Sequence, residues 1–298
     1  MIWSEFSDLV IPNSLQTLPI QGDFPHPEIL SKITFYVLPY MSDLRAIQSI
    51  AEMTALQVIQ SPNAGVDELT AILPPGVTLC NARGVHDAST AELAIGLTIG
   101  VRRGFADFMI NQRQGVWNHE RHNSLVDSRV GIVGMGSIGS LIARQLEVFE
   151  VEVIGFTRTG SNGTKTMSDF DELLPTLDVL ILILPLTTES YHLMNRERIQ
   201  SMKVGATLIN VARGGIVDTD ALADALNSGR ISAGLDVTEP EPLPQGHRLW
   251  NSPNVIITPH VGGDSNAFNS RIRTLLESQL NKFAVGQPLA NIVAGPLR

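Results

Sequence analysis

Three side chains carry the chemistry that this sequence suggests: Arg213, Glu241 and His260. A guanidinium can grip a carboxylate through two parallel hydrogen bonds and polarise a neighbouring carbonyl. An imidazole can give a proton to that carbonyl oxygen as a hydride arrives, and take it back in reverse. A carboxylate beside the imidazole would favour its charged form and fix its orientation. Each lies in a short motif: Asn210-Val211-Ala212-Arg213-Gly214-Gly215-Ile216-Val217-Asp218, Gly234-Leu235-Asp236-Val237 running on to Glu241-Pro242-Leu243-Pro244, and Thr258-Pro259-His260-Val261-Gly262-Gly263. Asp236 is a candidate for orienting a cofactor carboxamide. Glu239 competes with Glu241 for the place beside the imidazole.

The hydride would come from a dinucleotide. Gly134-Met135-Gly136-Ser137-Ile138-Gly139 is a GxGxxG that follows an apolar run and opens a helical pattern. The first glycine permits the tight turn and the second lets backbone approach a pyrophosphate. The third allows close helix–strand packing, and the helix N-terminus favours negative charge. An acid closing the next strand would accept hydrogen bonds from the ribose hydroxyls of NAD. Here Val151-Glu152-Val153-Ile154-Gly155-Phe156 runs into Thr157-Arg158-Thr159 instead. A permanent planar cation suits a 2′-phosphate, so NADP (NADPH) is favoured over NAD (NADH). Thr157 and Thr159 are read as further hydroxyl donors, and Lys165 as further charge.

These motifs need a sheet to hold them. The middle of the chain alternates apolar β-branched runs with helical patterns, which predicts strands at Val130–Val133, Val151–Phe156, Val179–Leu184, Thr207–Val211, Ser232–Val237 and Val255–Thr258. Helices are expected at Ile138–Phe149, Asp169–Leu174 (opened by Ser168), Arg196–Met202 and Thr219–Asn227. Near-continuous apolar strands separated by helices predict an α/β fold with a doubly wound parallel sheet. Carboxyl ends of strands face the ligand crevice in such a sheet, so the three motifs converge. The N-terminal part has a weaker version of the same rhythm. Strands are expected at Ile33–Leu38, Gln57–Ile59 and Val77–Leu79, and helices at Ser42–Met53 and Asp67–Ile72. Ser89–Phe108 reads as one long helix crossing between domains, and Ser265–Phe283 as a helix returning to the first. The expected division is 1–92 with 265–298 as a smaller domain, and 93–264 as the dinucleotide-binding domain.

Composition narrows the function classes. The 298 residues are 43% apolar and 17% charged, enough for packed cores in two domains. A net charge of −9 disfavours nucleic acid and anionic lipid as partners. One cysteine, Cys80, excludes an internal disulfide framework and a cysteine-based zinc site, and no metal site is expected. The N-terminus does not read as a signal peptide, and the longest apolar run, Val179–Leu186, is too short to span a bilayer. A cytoplasmic protein is expected.

Taken in order, the glycine loop, the Asn210–Asp218 stretch and the Thr258–Gly263 stretch resemble the D-isomer-specific 2-hydroxyacid dehydrogenase family, closest in style to glyoxylate and hydroxypyruvate reductases. The resemblance spans most of the chain and is strongest over 57–104 and 130–263. It implies a Rossmann domain plus a smaller flavodoxin-like α/β domain formed by both chain ends, with an active site in the interdomain cleft. It implies Arg213, Glu241 and His260 as catalytic residues; Glu241 is preferred because the family glutamate precedes a Pro-Leu-Pro segment. Within Ser61-Pro62-Asn63-Ala64-Gly65-Val66-Asp67 it implies that backbone N–H groups at Ala64 and Gly65, with Arg213, bind the substrate carboxylate. His86, in the segment leading to the interdomain helix, is read as structural. The cofactor-binding set becomes Gly134, Gly136, Ser137, Ile138, Gly139, Thr157, Arg158, Thr159, Pro185, Val211, Ala212, Arg213, Asp236, His260, Gly262 and Gly263.

Two departures stand out: Thr157-Arg158 in place of the common acid, and Asp264-Ser265 after Gly263. The resemblance also implies a homodimer with 91–117 contributing, and the extra regulatory domain of long phosphoglycerate dehydrogenases is not expected after Arg298. The expected activity is hydride transfer between NADP or NAD and a small 2-keto or 2-hydroxy acid, glyoxylate or hydroxypyruvate among them. Two alternatives stay open: a dinucleotide-sensing, corepressor-like interaction protein, and a dehydrogenase of a formate- or phosphite-type donor. The loops expected to select the substrate, around Leu38–Met41 and after Gly263, are not diagnostic.

Overall fold

A computed structural model describes residues 1–6, 8–19, 25–40, 44–161 and 163–296. Met41 of the expected pocket loop, and Ser42, the expected first residue of a helix, lie outside the described residues. The chain divides into two compact units, Met1–His86 with Asn266–Arg298, and Asp87–Ser265. The first break falls at the start of a helix, Asp87–Arg102, rather than at 92/93 inside it.

In the first unit, strands β1 (Ile2–Ser4), β2 (Thr17–Pro19), β3 (Phe35–Val37), β4 (Val58–Gln60) and β5 (Thr78–Cys80) pair in parallel. In the second, the strands are β6 (Arg129–Val133), β7 (Glu152–Thr157), β8 (Lys165–Thr166), β9 (Val179–Leu182), β10 (Thr207–Asn210), β11 (Ser232–Leu235) and β12 (Val255–Ile257). The chain then returns to the first unit, where β13 (Ile292–Ala294) closes one edge antiparallel to β5. Strand order is β13-β5-β4-β3-β1-β2 in one sheet and β12-β11-β10-β9-β6-β7-β8 in the other. The α/β architecture expected from the sequence is the one observed.

The second sheet reverses direction at β6: the chain steps outward to β7 and β8, then crosses to β9 on the other side of β6. That switch point is where ligands bind in doubly wound sheets, and the glycine loop follows β6 there. The helix after the loop, Ser137–Leu146, buries Gly139, Ile142 and Leu146 at helical spacing. Full burial of Ile142 and Leu146 stabilises by roughly 1.5–3 kcal/mol each.

Several elements differ from the sequence reading. The long helix expected over Ser89–Phe108 is two helices, Asp87–Arg102 and Phe105–Gln114. Gly104 separates them with a left-handed backbone, and a Cβ there would strike the His122 ring. The helix expected to open at Ser168 starts at Met167. Thr166 caps it in a reciprocal box with Asp169, two residues earlier than the serine–aspartate spacing suggested. Strands β1, β2, β8 and β13 were not expected; at two or three residues, none is long enough to show a period. No described helix is long and apolar enough to cross a membrane.

Candidate active site

The glycine loop passes three separate steric tests. Gly134 has φ +103°, and a Cβ there would strike the Ile183 carbonyl. A Cβ on Gly139 would strike the Gly134 carbonyl oxygen, so helix and strand approach as closely as backbone allows. At Gly136 a Cβ would meet nothing within 4 Å. Gly136 is also the N-cap of the helix, and no side chain caps the first-turn N–H groups. Two glycines are therefore demanded by the fold, while the third opens onto space lined by helix N–H donors. That is the cradle a pyrophosphate needs, and these residues fit a dinucleotide. Gly136→Val is expected to leave the melting temperature nearly unchanged while abolishing cofactor binding, measured by quenching of protein fluorescence. Gly139→Ala should instead lower the melting temperature; the reverse pattern would contradict this division of roles.

At the end of β7, Arg158 is exposed. The Thr157 Oγ accepts the Gly160 N–H at 3.0 Å and lies 2.8 Å from the Thr164 Oγ, whose own proton goes to the Ser161 carbonyl at 2.7 Å. The single Thr157 proton is thereby committed to Thr164. Thr157 closes the turn that carries Arg158. Thr159 is exposed, with Oγ 3.3 Å from the Ser161 Oγ. Glu189, which the sequence reading missed, lies within electrostatic reach of Arg158. A hydrogen bond from Thr187 first, and more weakly the Arg158 charge, hold its carboxyl below the usual range. In the same loop, the Pro185 carbonyl accepts the Ser190 hydroxyl at 2.8 Å.

Val211, Ala212 and Arg213 leave β10 in a turn shaped by Asn210. Its side chain accepts the Ala212 N–H at 3.1 Å and donates to the Arg213 carbonyl at 2.9 Å. The Arg213 guanidinium donates to the Ala212 carbonyl at 2.7 Å. The next glycine, Gly214, is packed so closely on the Thr238 carbonyl that a Cβ has no room. The Arg213 turn and the segment carrying Glu241 are thus in direct contact.

Asp236 is buried at the end of β11 and ties down the imidazole loop. Its Oδ1 accepts the Thr258 hydroxyl at 2.6 Å and the Val261 N–H at 2.9 Å, and its Oδ2 accepts the Gly262 N–H at 2.8 Å. Its carbonyl accepts the His260 N–H at 2.7 Å. A Cβ on Gly262 would sit 2.8 Å from Asp236 Oδ2, so glycine is needed there. The carboxylate read from sequence as a carboxamide positioner is, in this structure, the anchor of 258–262. His260 is held at φ +54°, a left-handed conformation that is strained for a non-glycine residue. Of the departing pair after Gly263, Ser265 places its hydroxyl 2.7 Å from that of Ser89.

His260 Nδ1 lies 2.5 Å from Glu241 Oε1. The hydrogen bond with Glu241 raises the His260 pKa against the opposing effect of burial. On Glu241, burial pushes upward most strongly. The His260 hydrogen bond and charge, the Thr238 N–H and the Arg213 charge together outweigh it and leave the carboxyl below its usual range. Arg213 acts on both members of the pair, so the guanidinium, carboxylate and imidazole form one electrostatic group. Glu239 is engaged elsewhere: its Oε2 lies 2.8 Å from His192 Nε2, and the His192 ring stacks on Tyr191 at 4.0 Å. The two glutamates thus meet different histidines, and it is Glu241, the one preferred on the resemblance, that lies beside His260. The His192–Glu239 pair joins residues 47 apart and has no spacing signal.

In the other unit, Ala64 and Gly65 follow β4 on the loop expected to bind a carboxylate. Among the described residues, no acceptor meets the N–H of either. His86 is buried with Nε2 2.7 Å from the Pro62 carbonyl. Cys80 is buried too, which pushes its thiol up to about 11 and makes it a poor nucleophile. Among the described residues, no three His, Cys, Asp or Glu side chains are grouped to hold a metal ion.

Residues 95–262, which include the glycine loop and all three candidate side chains, match the family described as D-isomer specific 2-hydroxyacid dehydrogenase, NAD binding domain. The chain belongs to the D-isomer specific 2-hydroxyacid dehydrogenase family. It is thereby an oxidoreductase acting on CH–OH groups with NAD(P), as its motifs led us to expect. Among family members, it is 33% identical over 240 residues to a glyoxylate reductase of Thermofilum pendens, covering 76% of this chain and 71% of that one. It is 32% identical over 282 residues to a D-3-phosphoglycerate dehydrogenase of Methanocaldococcus jannaschii, covering 90% of this chain and 54% of that longer protein. A crystal structure of a D-isomer specific 2-hydroxyacid dehydrogenase from Xanthobacter autotrophicus, in complex with NADPH and MES, superposes with a TM-score of 0.80 at 26% identity. That match covers 99% of this chain and 98% of that one.

Proposed function

We propose that this family member is an NADPH-preferring reductase of a small 2-keto acid, glyoxylate or hydroxypyruvate, with NADH as a weaker donor. The observation that carries the reading is the 2.5 Å contact of His260 Nδ1 with Glu241 Oε1, with the Arg213 charge acting on both. With Nδ1 held by Glu241, Nε2 is the nitrogen left to give a proton to the substrate oxygen. Arg213 grips the substrate carboxylate and polarises the adjacent carbonyl, and the Ala64 and Gly65 N–H groups are its further donors. The nicotinamide, when bound, supplies the hydride; the carbonyl carbon takes it while the oxygen takes the His260 proton, giving a 2-hydroxy acid. We read Met1–His86 with Asn266–Arg298 as the substrate-binding unit, and Asp87–Ser265 as the dinucleotide-binding unit.

Arg158 at the end of β7, where an acid would favour NAD, supports the preference for NADPH. The NADPH complex of the Xanthobacter relative supports the same preference, and the likeness to the Thermofilum glyoxylate reductase supports the substrate class. A second copy of the chain is the expected protein partner. The helix Phe105–Gln114 exposes Phe105, Met109 and Ile110, and Trp117 beyond it is 96% exposed. Monodisperse monomer in analytical ultracentrifugation would remove that part.

The test is a panel of glyoxylate, hydroxypyruvate and pyruvate with NADH and NADPH, followed by absorbance of the reduced cofactor. Oxidation of NADPH with glyoxylate or hydroxypyruvate is expected; no turnover across the panel with either cofactor overturns the reading. Arg158→Ala should weaken NADPH by about tenfold or more, the scale of a lost charge-assisted contact, and NADH by much less. Equal weakening of both would remove the cofactor preference.

A further inference from the structure

Within the loop that carries Ala64 and Gly65, the Ala64 carbonyl is held by the side chain of Asn81, which follows β5 in the same unit. Asn81 Nδ2 donates to the Ala64 carbonyl oxygen at 2.7 Å, and Oδ1 accepts the Arg83 N–H at 3.2 Å. These partners demand opposite roles. Turned over, the amide would set oxygen against oxygen and NH₂ against N–H, so only one orientation works. Asn81 is itself held at both backbone groups: its N–H donates to the Asn291 carbonyl at 3.1 Å, and its carbonyl accepts Gln60 Nε2 at 3.0 Å. Gln60 is in turn bonded to buried Gln279 at 2.9 Å. A second rung, Ala82 N–H to the Asn63 carbonyl at 2.9 Å, keeps the two segments in register.

A peptide is planar and trans, so the Ala64 C=O and the Gly65 N–H point in opposite directions. Holding the carbonyl on Asn81 therefore aims the Gly65 N–H away from Asn81, where no described acceptor meets it. We infer that Asn81 is a positioning residue for the reduction: by holding the Ala64 carbonyl, it presents the Gly65 N–H to the carboxylate of a 2-keto acid. This rests on the reading that Ala64 and Gly65 bind that carboxylate. The opposite peptide orientation would present a carbonyl oxygen to an anion, which repels it.

The experiment compares wild type with Asn81→Ala and Asn81→Asp, reading KM and kcat for glyoxylate and, separately, NADPH affinity by fluorescence. KM should rise about tenfold or more in both variants, the scale of a lost hydrogen bond to a charged group. The kcat should change far less and NADPH affinity should hold. The rise in Asn81→Ala cannot come from added charge. In the wild-type holoenzyme, oxamate (a 2-keto acid analogue that is not reduced) should shift the Gly65 amide resonance downfield. KM within about twofold of wild type in both variants, or a Gly65 amide indifferent to oxamate, overturns the inference. Wild type that reduces no 2-keto acid removes the underlying reading and this inference with it, whereas an active wild type with unaltered variants removes the role of Asn81 alone.

Discussion

Arg213→Lys is expected to lower kcat/KM for the 2-keto acid by about 100-fold or more, with the melting temperature close to wild type. The guanidinium offers a planar fork that meets a carboxylate through two parallel bonds; an ammonium is a point charge on a flexible stem. Charge is conserved in this substitution and bidentate geometry is not. Loss of one strong charge-assisted hydrogen bond is on the order of 1.5–3 kcal/mol, about one to two decades in rate. Misplacing the substrate relative to the hydride adds to that. The fold has little stake in the side chain. Its guanidinium donates to the neighbouring Ala212 carbonyl, a bond that an ammonium can also make, while the backbone turn is shaped independently by Asn210. Steady-state kinetics with glyoxylate and NADPH decide it: a variant within about threefold of wild type would mean that Arg213 does not grip the substrate.

The pattern of what was legible in the sequence follows from the range of each interaction. The glycine loop was readable because its residues are contiguous: the collision of Gly139 with Gly134 and the open space at Gly136 arise within one strand–turn–helix unit, and only the collision at Gly134 involves a distant residue, Ile183. The doubly wound sheet was readable because buried parallel strands are apolar on both faces. Glu239 and Glu241 could not be separated this way. Both lie in one acidic, proline-rich segment, and each meets a different histidine brought in from elsewhere in the chain. Asp236 was legible as an acid near the site, but its three donors come from 258–262, and nothing in its own motif says that they exhaust most of its capacity. The part Thr157 plays in closing the turn was not legible for a similar reason, since its partners Gly160 and Thr164 lie across a turn that leaves no periodic trace. At the helix break, Gly104 faces His122, a residue outside the helix altogether, so the lack of room for a side chain there leaves no mark in the helix's own pattern.

Glu241→Gln will separate the charge of the carboxylate from its shape. The glutamine oxygen can still accept from His260 Nδ1, so the ring stays oriented, but the charge that favours imidazolium is gone. The hydrogen bond with Glu241 is the largest influence raising the His260 pKa, so the variant's imidazole loses its proton at lower pH. Reduction needs the protonated ring, and its rate falls as pH rises through that pKa. The basic limb of kcat/KM should therefore move to lower pH, with a loss of about 10- to 100-fold above neutrality that shrinks towards acid pH. Oxidation needs the neutral ring, so its acidic limb should move in the same direction, and the variant should lose least there at low pH. Stability runs by the same linkage. The raised His260 pKa stabilises fully below the unfolded imidazole pKa and is lost as pH rises through the folded value. The lowered Glu241 pKa stabilises above the unfolded carboxylate pKa and is lost as pH falls through the folded one. With His260 and Glu241 side chains 45% and 40% exposed, water screens much of this, and the melting temperature should change little between those limits. Profiles of kcat/KM against pH in both directions test the assignment. Limbs that stay in place while activity falls would mean that Glu241 acts through something other than the charge of His260.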